Sequence, residues 1–499
     1  MPSIRTVPNT SGSTSVQVVR YRDRKVVVMK HIGSASTKKE IDALVQSAEI
    51  WMREHTGQLS FFEPAANRTV SLAYCSFVGV RHAIALDVLR KAAEECGFLD
   101  LYDAIAIDLA LMRVFEPCSK RRSIVLLERY FGIHHAERTL YRALRTIDRH
   151  KDKAEACAVV CAKRTFAFDC SLVFYDVTTL YFESFYDDEE GQALRKKGFS
   201  KDQKSQQPQV VVGLLVTSQG FPLGYELFKG NTFEGHTMLP VLQKFKEAHG
   251  LKYCTVVADA GMLSFENIEE LKKKDFSYIV GARIANLSPA LLTQIIKTLE
   301  RKEGATMRIA IRHGDLICSF SNARYRKDKH DMEKQVARAQ SLIKSSEPGR
   351  RAKFVKTSGT RYTLNAALME KTEKLLGIKG YVTNIPQTSM SNLEIIMHYR
   401  NLWRVEQTFR MAKSDLEVRP IFHQTDEAIR SHLLICFLAM TMSKYMELKT
   451  NMSLAKILDI LRSMGEARIL ESGSGKELAI PAASSEEARN LLKKLCVSY

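Results

Sequence analysis

One acidic residue sits in the middle of the most strand-like stretch of this chain. Ser171–Phe182 reads SLVFYDVTTLYF, mostly β-branched or aromatic, with Asp176 at its centre. A carboxylate inside such a strand is costly to bury unless something pairs with it. A metal ion is one such partner; a hydrogen bond from backbone, Thr178 or Thr179 is the plainer one. Two further strands, Gln209–Thr217 and Pro222–Phe228, are joined by a Ser-Gln-Gly turn and predict an antiparallel meander. A helix over about His236–Ala248 comes next, then the short strand Cys254–Ala258 and, immediately after it, Asp259. Ser264 is placed to cap a helix over Phe265–Lys273, and Tyr278–Val280 is the last strand of the unit.

The order β-β-β-α-β-α-β is similar to that of the ribonuclease H-like fold, an α/β architecture with a mixed five-stranded sheet and flanking helices. In that fold the middle of the first strand lies beside the end of the fourth, so Asp176 and Asp259 become neighbours. A third acid is expected from a later helix, and Asn392–Leu416 supplies Glu406. With Glu406 at the origin of a helical wheel, Tyr399 and Lys413 fall within about 20° and Arg410 about 40° away. Leu402 and Phe409 flank that face and are placed to pack on the sheet. An amphipathic helix with a solvated charged face explains the same pattern. Carboxylates with few imidazoles suit Mg²⁺ or Mn²⁺ rather than zinc. Two such ions on a phosphodiester activate water or a 3′-hydroxyl and stabilise the leaving oxygen, while neighbouring Lys and Arg neutralise phosphates. Competing acids read otherwise: Asp187–Glu190 as a solvated loop, Asp103 and Asp108 as surface or cap residues. His236 and His423 could neighbour the site, but a structural role is the plainer reading of each.

Composition narrows the partners. The 499 residues carry 74 Lys and Arg against 56 acids, a formal charge of +18. That excess points to a polyanion, with nucleic acid the default. The chain length predicts two to four domains. No apolar run reaches the roughly 20 residues that span a bilayer, and Leu433–Met442 reads as a buried helix. The first residues lack an apolar stretch, so no secretory leader is expected. Ten cysteines without CxxC pairs fit a reducing cytoplasm rather than a disulfide framework.

Periodicity divides the chain further. Residues 1–37 read as a flexible N-terminus followed by a β-hairpin of Val16–Tyr21 and Lys25–Lys30. Residues 38–164 read as helical, interrupted near Thr56–Arg68 and Pro117. Within them Arg122–Phe131, a turn at Gly132–His134 and a second helix His135–His150 have the punctuation of a helix-turn-helix. On the second helix Arg138, Arg142, Arg145 and Arg149 share a sector of about 60°, opposite Leu140, Leu144 and Ile147. The arginines fit a DNA contact or, equally, a solvated basic face.

At this point the residues resemble a known family. Tyr399–Lys413 (YRNLWRVEQTFRMAK) is similar to the Y-x2-R-x3-E-x6-K signature of a large group of bacterial insertion-sequence transposases of the DDE type. FYDVTTLYFES around Asp176, GLLVTSQGFPLGYELFKGNT after it, VVADAGMLS around Asp259 and KSDLEVRPIFH after Lys413 add to the resemblance, which covers roughly residues 165–445. One position departs: the signature Arg falls on Leu402, with Arg410 the better substitute. The resemblance implies catalytic and metal-binding roles for Asp176, Asp259 and Glu406, two Mg²⁺ (or Mn²⁺) ions, and DNA contacts from Tyr399, Arg410 and Lys413. It implies a catalytic domain of residues 165–300 and 378–447, split by a β-rich insertion at 301–377 that helps to hold the DNA end. Met307–Ile311, Leu316–Ser321 and Phe354–Leu364 are its strand-like segments, Arg324–Arg351 its basic stretch, and Tyr325, Phe354 and Tyr362 its aromatic candidates for a flipped base. Before the catalytic domain, residues 38–164 would bind DNA ends. After it come C-terminal helices in 448–499, of which Ser453–Met464 and Ser484–Leu495 are dimerisation candidates.

The function implied is a transposase that binds terminal inverted repeats, cuts the ends and joins them to target DNA. It would act as a homodimer in a prokaryotic cytoplasm, associated with the nucleoid. A catalytically silent, transposase-derived DNA-binding protein and a ribonuclease H-like nuclease are the other readings. The intact Asp-Asp-Glu set argues against the first, and the Tyr-Glu-Lys spacing with a basic insertion against the second.

Overall fold

The computed structural model describes residues 2–10, 12–22, 25–55, 75–101, 103–183, 194–199, 206–262, 264–345, 352–358, 361–472 and 475–498. The acidic run Asp187–Glu190 and the interruption near Thr56–Arg68 lie outside them.

The N-terminal segment is more regular than its Ser- and Thr-rich composition predicts. Strands β1 (Pro2–Pro8), β2 (Thr14–Arg22) and β3 (Lys25–Ala35) form an antiparallel sheet in the order β1-β2-β3. Helix α1 (Lys38–His55) packs on it through a small core of Val16, Val18 and Ala48. Residues expected to be mobile are thus held in a strand, because pairing with β2 satisfies the backbone of β1.

Strand β4 (Cys75–Arg81) opens a helical stretch of α2 (Ala83–Glu95), α3 (Ala104–Phe115), α4 (Lys120–Leu126), α5 (Glu137–Ala143) and α6 (Lys151–Phe166). Asp103 caps α3, accepting from Ala106 N at 3.1 Å. Asp108, expected at the surface, is instead buried and meets His135 Nε2 at 2.8 Å. The expected helix His135–His150 is broken. After α5 the backbone tightens into three-residue hydrogen bonds, Arg145 N to Arg142 O and Thr146 N to Ala143 O. The Thr146 hydroxyl also donates to Ala143 O at 3.2 Å, competing with the helical ladder. Arg138, Arg142, Arg145 and Arg149 are all exposed, but they ride on a helix, a turn and a 3-10 turn rather than one straight face. Leu140, Leu144 and Ile147 are buried, as their spacing predicts.

A mixed sheet of eight strands forms the body, in the order β10-β11-β14-β9-β8-β5-β6-β7. Strands β5 (Leu172–Tyr181), β6 (Gln209–Val216) and β7 (Pro222–Lys229) make the antiparallel meander. Helix α7 (Met238–Ala248) leads to β8 (Cys254–Ala258), which runs parallel to β5. Helix α8 (Phe265–Lys273), capped by Ser264 through Asn267 N at 3.1 Å, leads to β9 (Phe276–Ala282), parallel to β8. Helix α9 (Pro289–Thr298) then precedes the insertion.

The insertion does not stay apart from the sheet. Strands β10 (Thr306–Ile311) and β11 (Gly314–Phe320) extend it, joined to β9 through β14 (Ile378–Thr383). The five-stranded sheet expected from the sequence is therefore an eight-stranded one. Between β11 and β14 lie helix α10 (Asn322–Ser345), the hairpin β12 (Val355–Ser358) and β13 (Arg361–Leu364), and helix α11 (Ala366–Lys374). Most of the basic stretch is thus a 24-residue helix.

Past β14 the expected helix Asn392–Leu416 comes in pieces: α12 (Asn392–Arg400), α13 (Trp403–Arg410) and a π turn over Met411–Asp415. Tight bonds from Leu402 N to Tyr399 O and Arg404 N to Asn401 O break the ladder between α12 and α13. Leu402, where the signature has Arg, is buried at this break. Helix α14 (Asp426–Thr450) is buried continuously from Ser431 to Met446 and packs chiefly on α3, whose residues Ile105–Phe115 are all buried. No helix among the described residues is long and apolar enough to cross a membrane.

Helix α15 (Leu454–Ser463), strands β15 (Glu466–Glu471) and β16 (Glu477–Pro481), and helix α16 (Glu486–Lys494) complete the chain. The hairpin pairs with β4 in a sheet ordered β16-β15-β4, a partnership invisible to local periodicity. The apolar stripes of α15 and α16, offered above for dimerisation, join the same core as the sheet and helices.

Candidate active site

Asp176 lies in β5 between Tyr175 and Val177, both buried, and is itself only partly covered. Its Oδ1 accepts from the Val177 backbone at 2.7 Å. Strand pairing decides its neighbour. Tyr175 is registered with Ala258 across the parallel β5–β8 pair, so the residues that follow, Asp176 and Asp259, are next in register. Asp259 stands just past the end of β8 and is exposed.

Tyr399 reaches this point from α12. Its hydroxyl donates to Asp259 Oδ1 at 2.9 Å, and the phenol is buried against β9. A glycine makes that reach possible: a Cβ at Gly281 would stand 2.4 Å from Tyr399 Oη. Burial first, and then the Asp259 charge, push the Tyr399 phenol far above its ordinary value, so it remains a donor.

A matching arrangement holds the other side. Tyr175 donates to Thr237 Oγ1 at 2.8 Å, and Thr237 donates to Glu234 O at 2.6 Å. Gly213 leaves room for the Tyr175 hydroxyl, which a Cβ there would approach to 2.3 Å. The short turn Glu234–His236 is thereby tied to β5. It brings Glu234 close: a Cβ at Gly261 would lie 4.0 Å from both Asp259 Oδ2 and Glu234 Oε2.

Lys379 of β14 completes the group. Its ammonium lies 4.3 Å from the centre of the Tyr399 ring. Burial lowers its pKa, Arg324 and Arg400 add to that, and the charges of Asp259 and Glu406 oppose it. Lys379 therefore feels both carboxylates. Neither Glu234 nor Lys379 was found by sequence reasoning. A Lys inside the strand IKGYVT was the available signal, of the same kind as the Asp inside β5.

Glu406 is exposed on α13 and makes no hydrogen bond or ion pair among the described residues. Arg410 is exposed at the end of the same helix, with its charge reaching Asp415. Lys413, on the π turn, lines a small cavity beside Thr178 and Leu180 of β5. Arg404 lies over the Trp403 ring at 5.5 Å. The exposed arginines of α5 and its following turns do not line the cleft at Asp259. That cleft, about 910 Å³, runs from Asp259, Tyr399 and Lys379 past Arg283 to Arg324 and Lys371 of α10 and α11.

Among the described residues no three acidic, histidine or cysteine side chains gather closely enough to hold a metal ion. Asp176 and Asp259 are brought together by the sheet, whereas Glu406 is not gathered with them. The donors are carboxylate oxygens, which fit a hard divalent cation, and the Lys379 ammonium feels the charges of both Asp259 and Glu406. Closing such a site requires Glu406 to approach the two aspartates.

His236 is exposed and packs edge-on to Phe233. His423 lies away from the carboxylates, 5.3 Å from the His432 ring. His432 is buried, meets Lys120 Nζ at 3.0 Å through Nδ1 and Val418 O at 3.0 Å through Nε2. Burial, with Lys120 and Arg113 nearby, pushes His423 down to about 4, and burial pushes Lys120 down to about 7.

The family model for the transposase DDE domain matches residues 170–442. No curated protein matches the chain. Among solved structures, the piggyBac transposase in a synaptic complex with hairpin DNA, determined by cryo-electron microscopy, is similar. It is 10% identical, with 77% of this chain and 70% of that one covered and a TM-score of 0.36.

Proposed function

The chain belongs to the transposase DDE-domain family, and from that premise we propose that it binds the terminal inverted repeats of an insertion sequence and catalyses DNA cleavage and strand transfer with Asp176, Asp259 and Glu406. One observation carries the reading: Asp176 and Asp259 are next in register on parallel neighbours, and the segment bearing Glu406 is tied to Asp259 through Tyr399. The strand order β7-β6-β5-β8-β9, with only β6 antiparallel to the rest of that unit, supports a ribonuclease H-like core.

The three carboxylates would hold Mg²⁺ or Mn²⁺, which supplies charge neutralisation at a scissile phosphate and activation of the attacking oxygen. The chain's own residues do the rest. Tyr399 fixes the orientation of Asp259, and the Tyr175–Thr237 relay fixes the Glu234 turn. Lys379, which feels the charges of Asp259 and Glu406, and Lys413 neutralise the phosphate oxygens. Water attacks phosphorus at the element end and the 3′-oxygen departs with a proton. That 3′-hydroxyl then attacks a target phosphodiester, releasing a target 3′-oxygen. The exposed arginines Arg138, Arg142, Arg145 and Arg149 would bind the repeat. The domains expected from the sequence, the homodimer of a synaptic complex and the prokaryotic cytoplasm belong to the same reading.

The test is incubation of the full chain with Mg²⁺ or Mn²⁺ and a labelled duplex bearing the terminal repeat found beside its gene, compared with Glu406→Gln. Cleavage at the repeat boundary and strand transfer by the parent alone support the reading. Binding without cleavage by either protein identifies a silent DNA-binding protein, and hydrolysis without joining a nuclease. Equal cleavage by both removes Glu406 from the reaction.

A further inference from the structure

Among the described residues, nothing covers the outer half of the β2–β3 ribbon on either face. From Arg20 to Arg22 and from Lys25 to His31 every described residue is exposed, although both segments are regular paired strand. The inner half, by contrast, is covered by α1 through Val16 and Val18. Registration sorts the outer residues by face. Arg20 pairs with Val27 and Arg22 with Lys25, while Tyr21 pairs with Val26. One face therefore carries three cations, and the other an exposed tyrosine (63% accessible) beside exposed valine. A register shift opposite Val18 and Val19 leaves Met29 as an extra residue, which sharpens the local twist. Across Thr14–Ala35 the sequence has five Lys or Arg and a single acid, Asp23.

Resting on the DNA-acting function above, we propose that this outer ribbon is a docking surface for double-stranded DNA, with Arg20, Arg22 and Lys25 against backbone phosphates. A two-stranded antiparallel ribbon fits the major groove, which is about 12 Å wide, and its twist follows the groove. The cationic face supplies sequence-independent attraction. Tyr21 and Val26 supply contacts to sugar and thymine methyl groups. The competing occupant, a second copy paired along the free edge of β3, would bring Lys25 and Lys30 of two protomers together with no acid to offset them.

The experiment uses the full chain, with a labelled duplex carrying the terminal repeat and an unrelated duplex of equal length, titrated by fluorescence anisotropy from about 50 to 200 mM salt. The triple variant Arg20→Ala/Arg22→Ala/Lys25→Ala is compared with the charge-preserving Arg20→Lys/Arg22→Lys/Lys25→Arg. Thermal unfolding by circular dichroism controls for folding, and light scattering reports the oligomeric state. The alanine variant is expected to bind at least about tenfold more weakly, with the log–log salt slope reduced by about 0.9 per lost phosphate contact. The charge-preserving variant should keep the parental slope.

An unchanged affinity and slope in the alanine variant overturns the proposal. So does a change in oligomeric state with the slope retained, which would make the ribbon a self-association edge. If the parent binds through the ribbon but never cleaves the repeat with metal, the transposase reading falls and the ribbon stands. Absence of DNA binding by the parent overturns both.

Discussion

Gly281 and Tyr399 should behave as a coupled pair, and the coupling has a definite sign. A Cβ at position 281 would meet Tyr399 Oη at 2.4 Å, Cζ at 3.0 Å and Cε2 at 3.2 Å. Gly281→Ala therefore pushes the phenol off Asp259, with an overpacking cost of about 2 kcal/mol. Tyr399→Phe removes the 2.9 Å bond to Asp259. Because Asp259 is exposed, that loss should be nearer about 1 kcal/mol than the larger values typical of buried charged bonds. With the hydroxyl gone, the worst contact disappears and the ring carbons need yield only slightly. Adding Gly281→Ala to Tyr399→Phe should then cost about 1 kcal/mol less than adding it to the parent. Urea midpoints of the four proteins, read by circular dichroism with unchanged slopes, measure the cycle. Both single variants should also cleave the terminal repeat about tenfold more slowly, a barrier increase of about 1.4 kcal/mol. Additivity within about 0.3 kcal/mol would show that the Tyr399 hydroxyl does not pass over Gly281, and the account of how Asp259 is held would fail.

Gly213→Ala should destabilise by about 1–3 kcal/mol, since its Cβ would lie 2.3 Å from the Tyr175 hydroxyl; Tyr175→Phe in the same chain should recover part of it in a urea titration. Lys379→Ala should slow cleavage and strand transfer by at least about tenfold while shifting the melting temperature little; equal rates would remove it from the phosphate site. His423 is held neutral, with its pKa pushed from the ordinary value down to about 4. The unfolded chain therefore binds the extra proton first, and stability should fall as pH drops from about 6.5 to 4, by on the order of 3 kcal/mol; His423→Gln should flatten that part of the pH profile. Lys120 follows the same logic at higher pH: burial depresses its pKa to about 7, so the penalty for burying it builds as pH falls from about 10 to 7. Lys120→Met should gain on the parent over that window, and a constant difference would mean that Lys120 is solvated.

The parts of this architecture that follow local rules were legible in the sequence. The strands around Asp176 and Asp259 announce themselves by β-branched and aromatic runs, the cap at Ser264 by its residue type, and Leu433–Met442 by its apolar length. What local rules cannot show is pairing at a distance. Lys379 comes to Asp259 only because β14 aligns Gly380 with Ala282 of β9, and the hairpin β15–β16 finds β4 across most of the chain. Helix continuity was the other weak point. The wheel drawn through Tyr399, Glu406 and Lys413 assumed one regular helix, whereas burial of Leu402 and the π turn after Arg410 shift the phase twice. Thr146 broke the basic helix by a side-chain bond whose partner carbonyl no periodicity reveals.

The pairing of α3 with α14 also sets a timetable for synthesis. Helix α3 emerges from the ribosome early, yet its flank is closed by groups made much later: Arg113 binds the carbonyls of Leu416 and Glu417, and Arg462 binds that of Phe115. At about 5–20 residues per second, roughly 15–60 s pass before those partners exist. For that interval α2, α4 and α5 already pack on α3, but the apolar flank that meets α14 is uncovered, so nascent chains should engage holdase chaperones there. Any product ending before α14 should aggregate or be degraded rather than persist as a shortened competitor for the DNA ends.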